Sequence, residues 1–176
     1  MRLEVMDDEG RILARGERGE IVLRGGLVMA GYYNNEAATR EASTFGWHHT
    51  GDIGVIDEDG FVYIVDRKKD MIIYGGFNVF PSEVEQVLWS HPAVQDCAVI
   101  GVPDGKWGEA VKAVVELKPG ANATADELIH LAKDKLGGVK APKSVDFIAA
   151  LPRSPVGKVL KKTLREPYWA GRERKI

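Results

Sequence analysis

A chain of 176 residues, 44% hydrophobic and 28% charged, has a globular composition with room for one ordinary domain or two small ones. No run nears the ~18 consecutive apolar residues of a membrane span, and Met1-Arg2-Leu3-Glu4-Val5 reads as strand rather than a signal-peptide core. These features predict a soluble, cytoplasmic protein with no transmembrane segment. The net charge of −2 hides an asymmetry, since residues 133–176 hold twelve Lys or Arg against four acids, about +8, leaving about −10 for residues 1–132. Such a basic end suits phosphate-bearing partners or a solvated surface helix. No aromatic residues interleave with it as on an RNA- or single-strand-binding face, so nucleic acid is not expected. The single Cys97 lies in the apolar stretch Ala93 to Val102, which excludes a disulfide framework and reads as a buried structural thiol in a reducing compartment.

In chain order, the first third reads as β-structure. Leu3, Val5 and Ile12 flank the turn Asp7-Asp8-Glu9-Gly10, and Glu20-Ile21-Val22-Leu23 follows Gly19. Asn34-Asn35-Glu36 can start a short helix through Glu41. Ile53 to Ile56 and Phe61 to Val65 read as strands joined by Asp57-Glu58-Asp59-Gly60, a hairpin signal in which the glycine supplies positive φ. The five consecutive charges Asp66 to Asp70 read as an exposed linker.

Beyond it the elements alternate. Met71 to Tyr74 is a short strand, and Ser82 with Glu85 has the form of a capping box opening a helix that His91-Pro92 ends. Cys97 to Val102 and Val111 to Leu117 read as strands. Thr124 and Glu127 form a second capping box, followed by Leu128, Ala132 and Leu136 at helical spacing, with Gly137-Gly138 as the stop. Val145 to Ala149 is a further strand, and Val159 to Trp169 a terminal helix interrupted by Pro167. The predicted fold class is α+β: a β-rich first part over residues 1–66, then a small α+β domain over 67–176.

Three separated pieces carry chemistry. They are Thr50-Gly51-Asp52; Asp66-Arg67-Lys68-Lys69-Asp70 leading to Tyr74-Gly75-Gly76; and Arg153-Ser154-Pro155-Val156-Gly157-Lys158. A carboxylate can accept two hydrogen bonds from a vicinal diol, and a mobile ammonium can approach developing charge for one step and leave for the next. Taken singly, Asp52 is equally a turn residue, Arg67 a solvated charge, Gly75-Gly76 a plain β-turn and Lys158 a surface lysine. Gly157-Lys158 is not a Walker loop, because Pro152 stands where that loop needs glycine. His48 and His49 are adjacent and unaccompanied by a Cys cluster, so no metal site is expected; His91 and His130 read as helix residues.

In this order and spacing the three pieces resemble the C-terminal end of the adenylate-forming enzymes (acyl- and aryl-CoA synthetases, luciferases and peptide-synthetase adenylation domains), closest to the fatty-acyl-CoA ligase branch. The resemblance implies that Asp52 and Arg67 bind the ATP/AMP ribose. It makes Lys158 the catalytic lysine, Lys69 the hinge (where many members carry Asp) and Gly75 with Gly76 the lining of the CoA pantetheine tunnel. The Lys106-Trp107-Gly108-Glu109 loop is mainly structural in the family. Residues 1–66 would then be the incomplete β-rich end of an N-terminal adenylation domain, and 67–176 the mobile C-terminal domain.

The implied cofactors are ATP, CoA and Mg²⁺. The Mg²⁺ ligand, phosphate loop, adenine motif and acyl pocket would lie in the remainder of the N-terminal domain. The implied activity is an acid–thiol ligase acting on a carboxylic acid, of fatty rather than aromatic type, with the 176-residue chain inactive alone. Two alternatives stay open: a stand-alone module that binds CoA or acyl-AMP without turnover, and another adenylate former, luciferase-like or loading a carrier protein.

Overall fold

Alternating side chains fold the first third into a four-stranded antiparallel sheet. Its strands β1 (Arg2–Met6), β2 (Arg18–Arg24), β3 (His48–Ile56) and β4 (Val62–Arg67) lie side by side in chain order. The computed structural model describes residues 1–172, divided into two compact units, Met1–Lys69 and the chain from Asp70 onward. In the first unit Met6, Val22 and Trp47 pack as one buried cluster. The Asp57–Gly60 turn closes β3 onto β4: Asp57 Oδ1 accepts the Phe61 N–H at 2.8 Å, and Gly60 adopts φ +89°. The short helix α1 (Glu36–Glu41) starts at Asn35, whose side chain accepts the Ala38 N–H.

The second unit is a five-stranded sheet with helices on both faces. Its strands are β5 (Ile72–Tyr74), β6 (Phe77–Val79), β7 (Val94–Asp104), β8 (Gly108–Leu117) and β9 (Ser144–Phe147). They run in the order β6-β5-β8-β7, with β9 pairing parallel to β8. Successive residues of a strand point to opposite faces, and in β7 both faces are apolar. Cys97 and Val99 join Val84, Leu88, Leu128 and Ala132 of helices α2 (Pro81–Trp89) and α3 (Ala125–Lys140). Ala98, Ile100 and Val102 face the other way, toward Leu151 and Leu164, the latter on α4 (Lys161–Trp169). A strand buried on both sides loses its polar alternation, which is why Cys97 to Val102 reads as a continuous apolar run.

The α+β class is thus observed, with differences in detail. Ser82 is not the N-cap of α2; the helix begins at Pro81 with Phe80 as cap. Proline fits the first helical position because its φ is preset and it has no N–H to satisfy. Glu85 therefore closes no capping box: its carboxylate is buried, accepting the Val99 N–H at 2.7 Å and facing Lys161 Nζ at 2.7 Å. The Thr124–Glu127 capping box is present. Gly137, at φ +78°, breaks the α geometry of α3, but helical turns resume as far as Lys140.

The five charges at 66–70 are not one exposed linker. Asp66 and Arg67 belong to β4, and Lys68–Asp70 form a 3-10 turn in which Lys68 and Asp70 are half-buried. The strand β6 was not anticipated. The basic end observed in the sequence extends past Arg172, and its last four residues lie outside the described ones. Among the described residues no helix is long and apolar enough to cross a membrane.

Candidate functional site

The first group of predicted residues lies on the β3–β4 ladder. Thr50 Oγ1 donates to the Ile21 carbonyl at 2.7 Å and accepts the Asp52 N–H at 3.1 Å, which ties the Thr-Gly-Asp segment to β2. Gly51 between them takes φ +74°. A register shift in the ladder between Ile53 and Gly54 then brings Asp52 opposite Arg67. Arg67 Nε lies 2.9 Å from Asp52 Oδ1. The two residues assigned to one ligand group are therefore in contact, with the guanidinium exposed and the carboxylate half-buried.

Beneath them sits a residue read only as part of a strand. Glu20, 6% exposed, has one carboxylate oxygen 2.9 Å from His49 Nδ1 and 3.0 Å from Lys68 Nζ. Its other oxygen accepts the Gly51 N–H at 3.0 Å. Lys68 also reaches Asp8 at 2.7 Å. Burial raises the Glu20 carboxyl, but hydrogen bonds from His49, Lys68 and the Gly51 amide, with the Lys68 charge, outweigh it and hold it below its ordinary value. Burial likewise pulls the Lys68 ammonium down, and its bonds to Asp8 and Glu20 more than reverse this. His49 is thus a partner of Glu20. The sequence signal for Glu20 was a lone acid opening an apolar strand.

That depression gives a pH prediction. Glu20 stays ionised in the folded chain to lower pH than in the unfolded chain, where it titrates near 4.5. Its contribution is complete above that value and is lost as pH falls through the lower folded value. Urea unfolding between pH 7 and 3 should show this acid loss. Glu20→Gln should lower stability at pH 7 by about 1–3 kcal/mol and flatten the acid limb.

Gly75 and Gly76 form the two-residue hairpin turn between β5 and β6, with Tyr74 paired opposite Phe77. Both have positive φ, +58° and +85°, which the tight hairpin turn requires. The Gly75 N–H donates to the Trp107 carbonyl at 2.9 Å, and a Cβ on Gly75 would lie 2.7 Å from the Trp107 ring. The rings of Tyr74 and Trp107 are 5.7 Å apart. Lys143 Nζ sits 4.5 Å from the Tyr74 ring centre and Lys106 Nζ 4.8 Å from that of Trp107. Burial, with the Lys133 charge, lowers the Lys143 ammonium below its usual value. Gly75→Ala should cost about 1–3 kcal/mol, because it adds a ring clash to a left-handed backbone, and Gly76→Ala about 1 kcal/mol. Thermal unfolding of the two variants measures the difference.

Lys158 stands exposed near the tip of a second hairpin, closed by an isolated bridge between Arg153 and Val159. The Ser154 N–H donates to the Lys158 carbonyl at 2.8 Å, and Ser154 Oγ accepts the Lys158 N–H at 3.2 Å. Gly157 turns the chain at φ +82°. Arg153 donates to the Gly157 carbonyl at 3.1 Å and is ion-paired with Asp96. Asp96 also accepts from Trp89 Nε1 and the Cys97 amide. Burial raises the Asp96 carboxyl, yet the Arg153, Cys97 and Trp89 hydrogen bonds leave it below its ordinary value. A rigid frame thus carries a long, exposed ammonium. Lys69 is the exposed residue within the 3-10 turn at the end of the first unit.

Residues 83–158 match the AMP-binding enzyme C-terminal domain. That stretch carries the domain, and the chain as a whole is similar to the C-terminal portion of adenylate-forming enzymes. It is 50% identical over 163 residues to a long-chain-fatty-acid–CoA ligase of Salmonella typhimurium, covering 93% of this chain and 29% of that protein. It is 47% identical over 159 residues to a feruloyl-CoA synthase of Amycolatopsis, covering 90% of this chain and 32% of the relative. The ATP-bound crystal structure of MatB from Rhodopseudomonas palustris superposes with a TM-score of 0.90 at 40% identity, over 98% of this chain and 35% of that one. The chain therefore spans about a third of the length of the curated relatives it matches.

Proposed function

We propose that this chain works as the C-terminal part of an ATP-dependent acyl-CoA synthetase. The carboxylate of an acid attacks the α-phosphorus of ATP, giving acyl-AMP and pyrophosphate. The CoA thiol then attacks the acyl carbon, giving acyl-CoA, AMP and a proton. Asp52 and Arg67 anchor the ribose, Lys158 brings its positive charge to the carboxylate and α-phosphate in the first step, and Gly75-Gly76 admit the pantetheine arm in the second. Residues from Asp70 onward turn about Lys69 between the two steps, against the part of the N-terminal adenylation domain that residues 1–66 represent.

The observation that carries this reading is the Asp52–Arg67 contact. Two residues that the resemblance gives to one ligand group, 15 positions apart in sequence, meet at 2.9 Å through a register shift, with the guanidinium open to solvent. Mg²⁺ would assist ATP, but among the described residues no cluster of three or more His, Cys, Asp or Glu is placed to hold a metal.

The acid is assigned to the fatty class, supported by the fatty-acid–CoA ligase among the relatives; the feruloyl-CoA synthase favours an aromatic acid as the second reading. Pyrophosphate exchange tests the proposal in two arms. The 176-residue chain alone is expected to give none. Joined to a complete N-terminal domain it should give exchange dependent on a carboxylic acid, with a panel of fatty and aryl acids deciding the class. Exchange by the isolated chain, or none in the joined protein, would overturn it.

A further inference from the structure

Lys69 is bracketed by two anchored neighbours, and each is tied to the unit on its own side. Upstream, Lys68 Nζ lies 3.0 Å from Glu20 and 2.7 Å from Asp8, all within Met1–Lys69. Glu20 is itself held by the Gly51 amide and His49. Downstream, Arg165 Nη1 on α4 donates to Asp70 Oδ1 at 2.9 Å, and both side chains are largely shielded from solvent. Shielded pairs are weakened by salt far less than exposed ones. The backbone repeats this pattern: Arg67 is still in the β4 ladder, and Ile72 already begins β5.

We propose that Lys68 and Asp70, through Glu20 and Arg165, are positioning residues that confine rotation between the two units to Lys69. The inference rests on the hinge reading of Lys69 given above. A single residue offers two soft dihedrals, so a one-residue pivot allows few end states. A pivot spread over four or five residues would let the second unit wander. The cost would fall on catalysis, since a reacting group displaced by about 1 Å can lose about 100-fold in rate. Arg165 lies on the helix that follows the Lys158 hairpin, so the downstream anchor also joins the lysine's own frame to the residue after the pivot.

The test uses the ¹⁵N-labelled 176-residue chain and its variants Lys68→Met, Arg165→Met and Arg165→Lys. In the parent, backbone order parameters at Lys68 and Asp70 should be near the rigid value of about 0.85. Lys68→Met should drop Lys68 below about 0.6 and leave Asp70 unchanged, and Arg165→Met should do the reverse. Arg165→Lys, which keeps a donor to Asp70, should restore most of the loss. A general loss of folding would instead lower values throughout both sheets. Unchanged values in both Met variants, or loosening on both sides by either one, would overturn the confined pivot while leaving the hinge reading in place. A single rotational correlation time shared by both units in every protein would sink the hinge reading itself, and the pivot with it.

Discussion

Lys158→Ala is expected to slow acyl-adenylate formation by about 100- to 1,000-fold in a protein that joins this chain to a complete N-terminal domain, and to change transfer from supplied acyl-AMP to CoA by less than about twofold. The magnitude is that of removing one preorganised charge from a developing transition state. The selectivity follows from where the lysine sits. Its ammonium is exposed on a long stem, but its backbone is fixed by Ser154, by the Arg153–Val159 bridge and by the turn at Gly157. Such a group can enter one step's geometry and be absent from the other's. Lys158→Arg should recover little, because a planar five-donor fork does not replace a compact point charge. Pyrophosphate exchange reports the first step and thioester formation from synthetic acyl-AMP the second. Equal losses in both would remove the assigned role, and so would no loss in either.

What the sequence makes legible follows the range of the interaction. Local signals worked: the Asn35 cap, the Thr124–Glu127 box and the Asp57–Gly60 turn are each contained within a few residues and are all present. Two local signals compete at α2, where Pro81 and Ser82 both mark a helix start, and the helix begins at Pro81. Strand β6 has only three residues after a double glycine, too short for alternation to register.

The candidate site was legible as residue types and not as contacts. Asp52, Arg67 and Lys158 stand out by motif, but the meeting of Asp52 with Arg67 depends on a ladder irregularity at Ile53–Gly54 that no window of sequence encodes. Glu20 was missed because its partners lie 29 and 48 residues away. Glu85 was misassigned for the same reason: a glutamate three residues after a serine is a capping signal locally, and only the position of β7 and Lys161 makes it a buried ion.

That buried ion carries the second large effect. Glu85→Ala should destabilise the second unit by about 3–5 kcal/mol, because it strips the partner from a mostly buried lysine and the acceptor from a buried amide. The Glu85 and Lys161 side chains are 8% and 17% exposed, so neither charge is well served by water. Replacing both, as Glu85→Met with Lys161→Met, removes the orphaned charge and should recover most of the loss, since buried ion pairs are often no better than apolar side chains of similar size. A deficit of about 1–3 kcal/mol should persist for the Val99 amide, which the Glu85 carboxylate accepts in the parent. Urea unfolding of the three variants measures these differences. Catalysis in the joined protein should divide differently. Lys161 opens α4 three residues after Lys158, so its pairing with Glu85 fixes one end of the Lys158 hairpin while Arg153–Asp96 fixes the other. The double variant should regain stability yet keep a reduced adenylation rate, because Met–Met packing holds the helix start without the direction that an ion pair imposes. Full recovery of both would mean that the pair serves the fold alone.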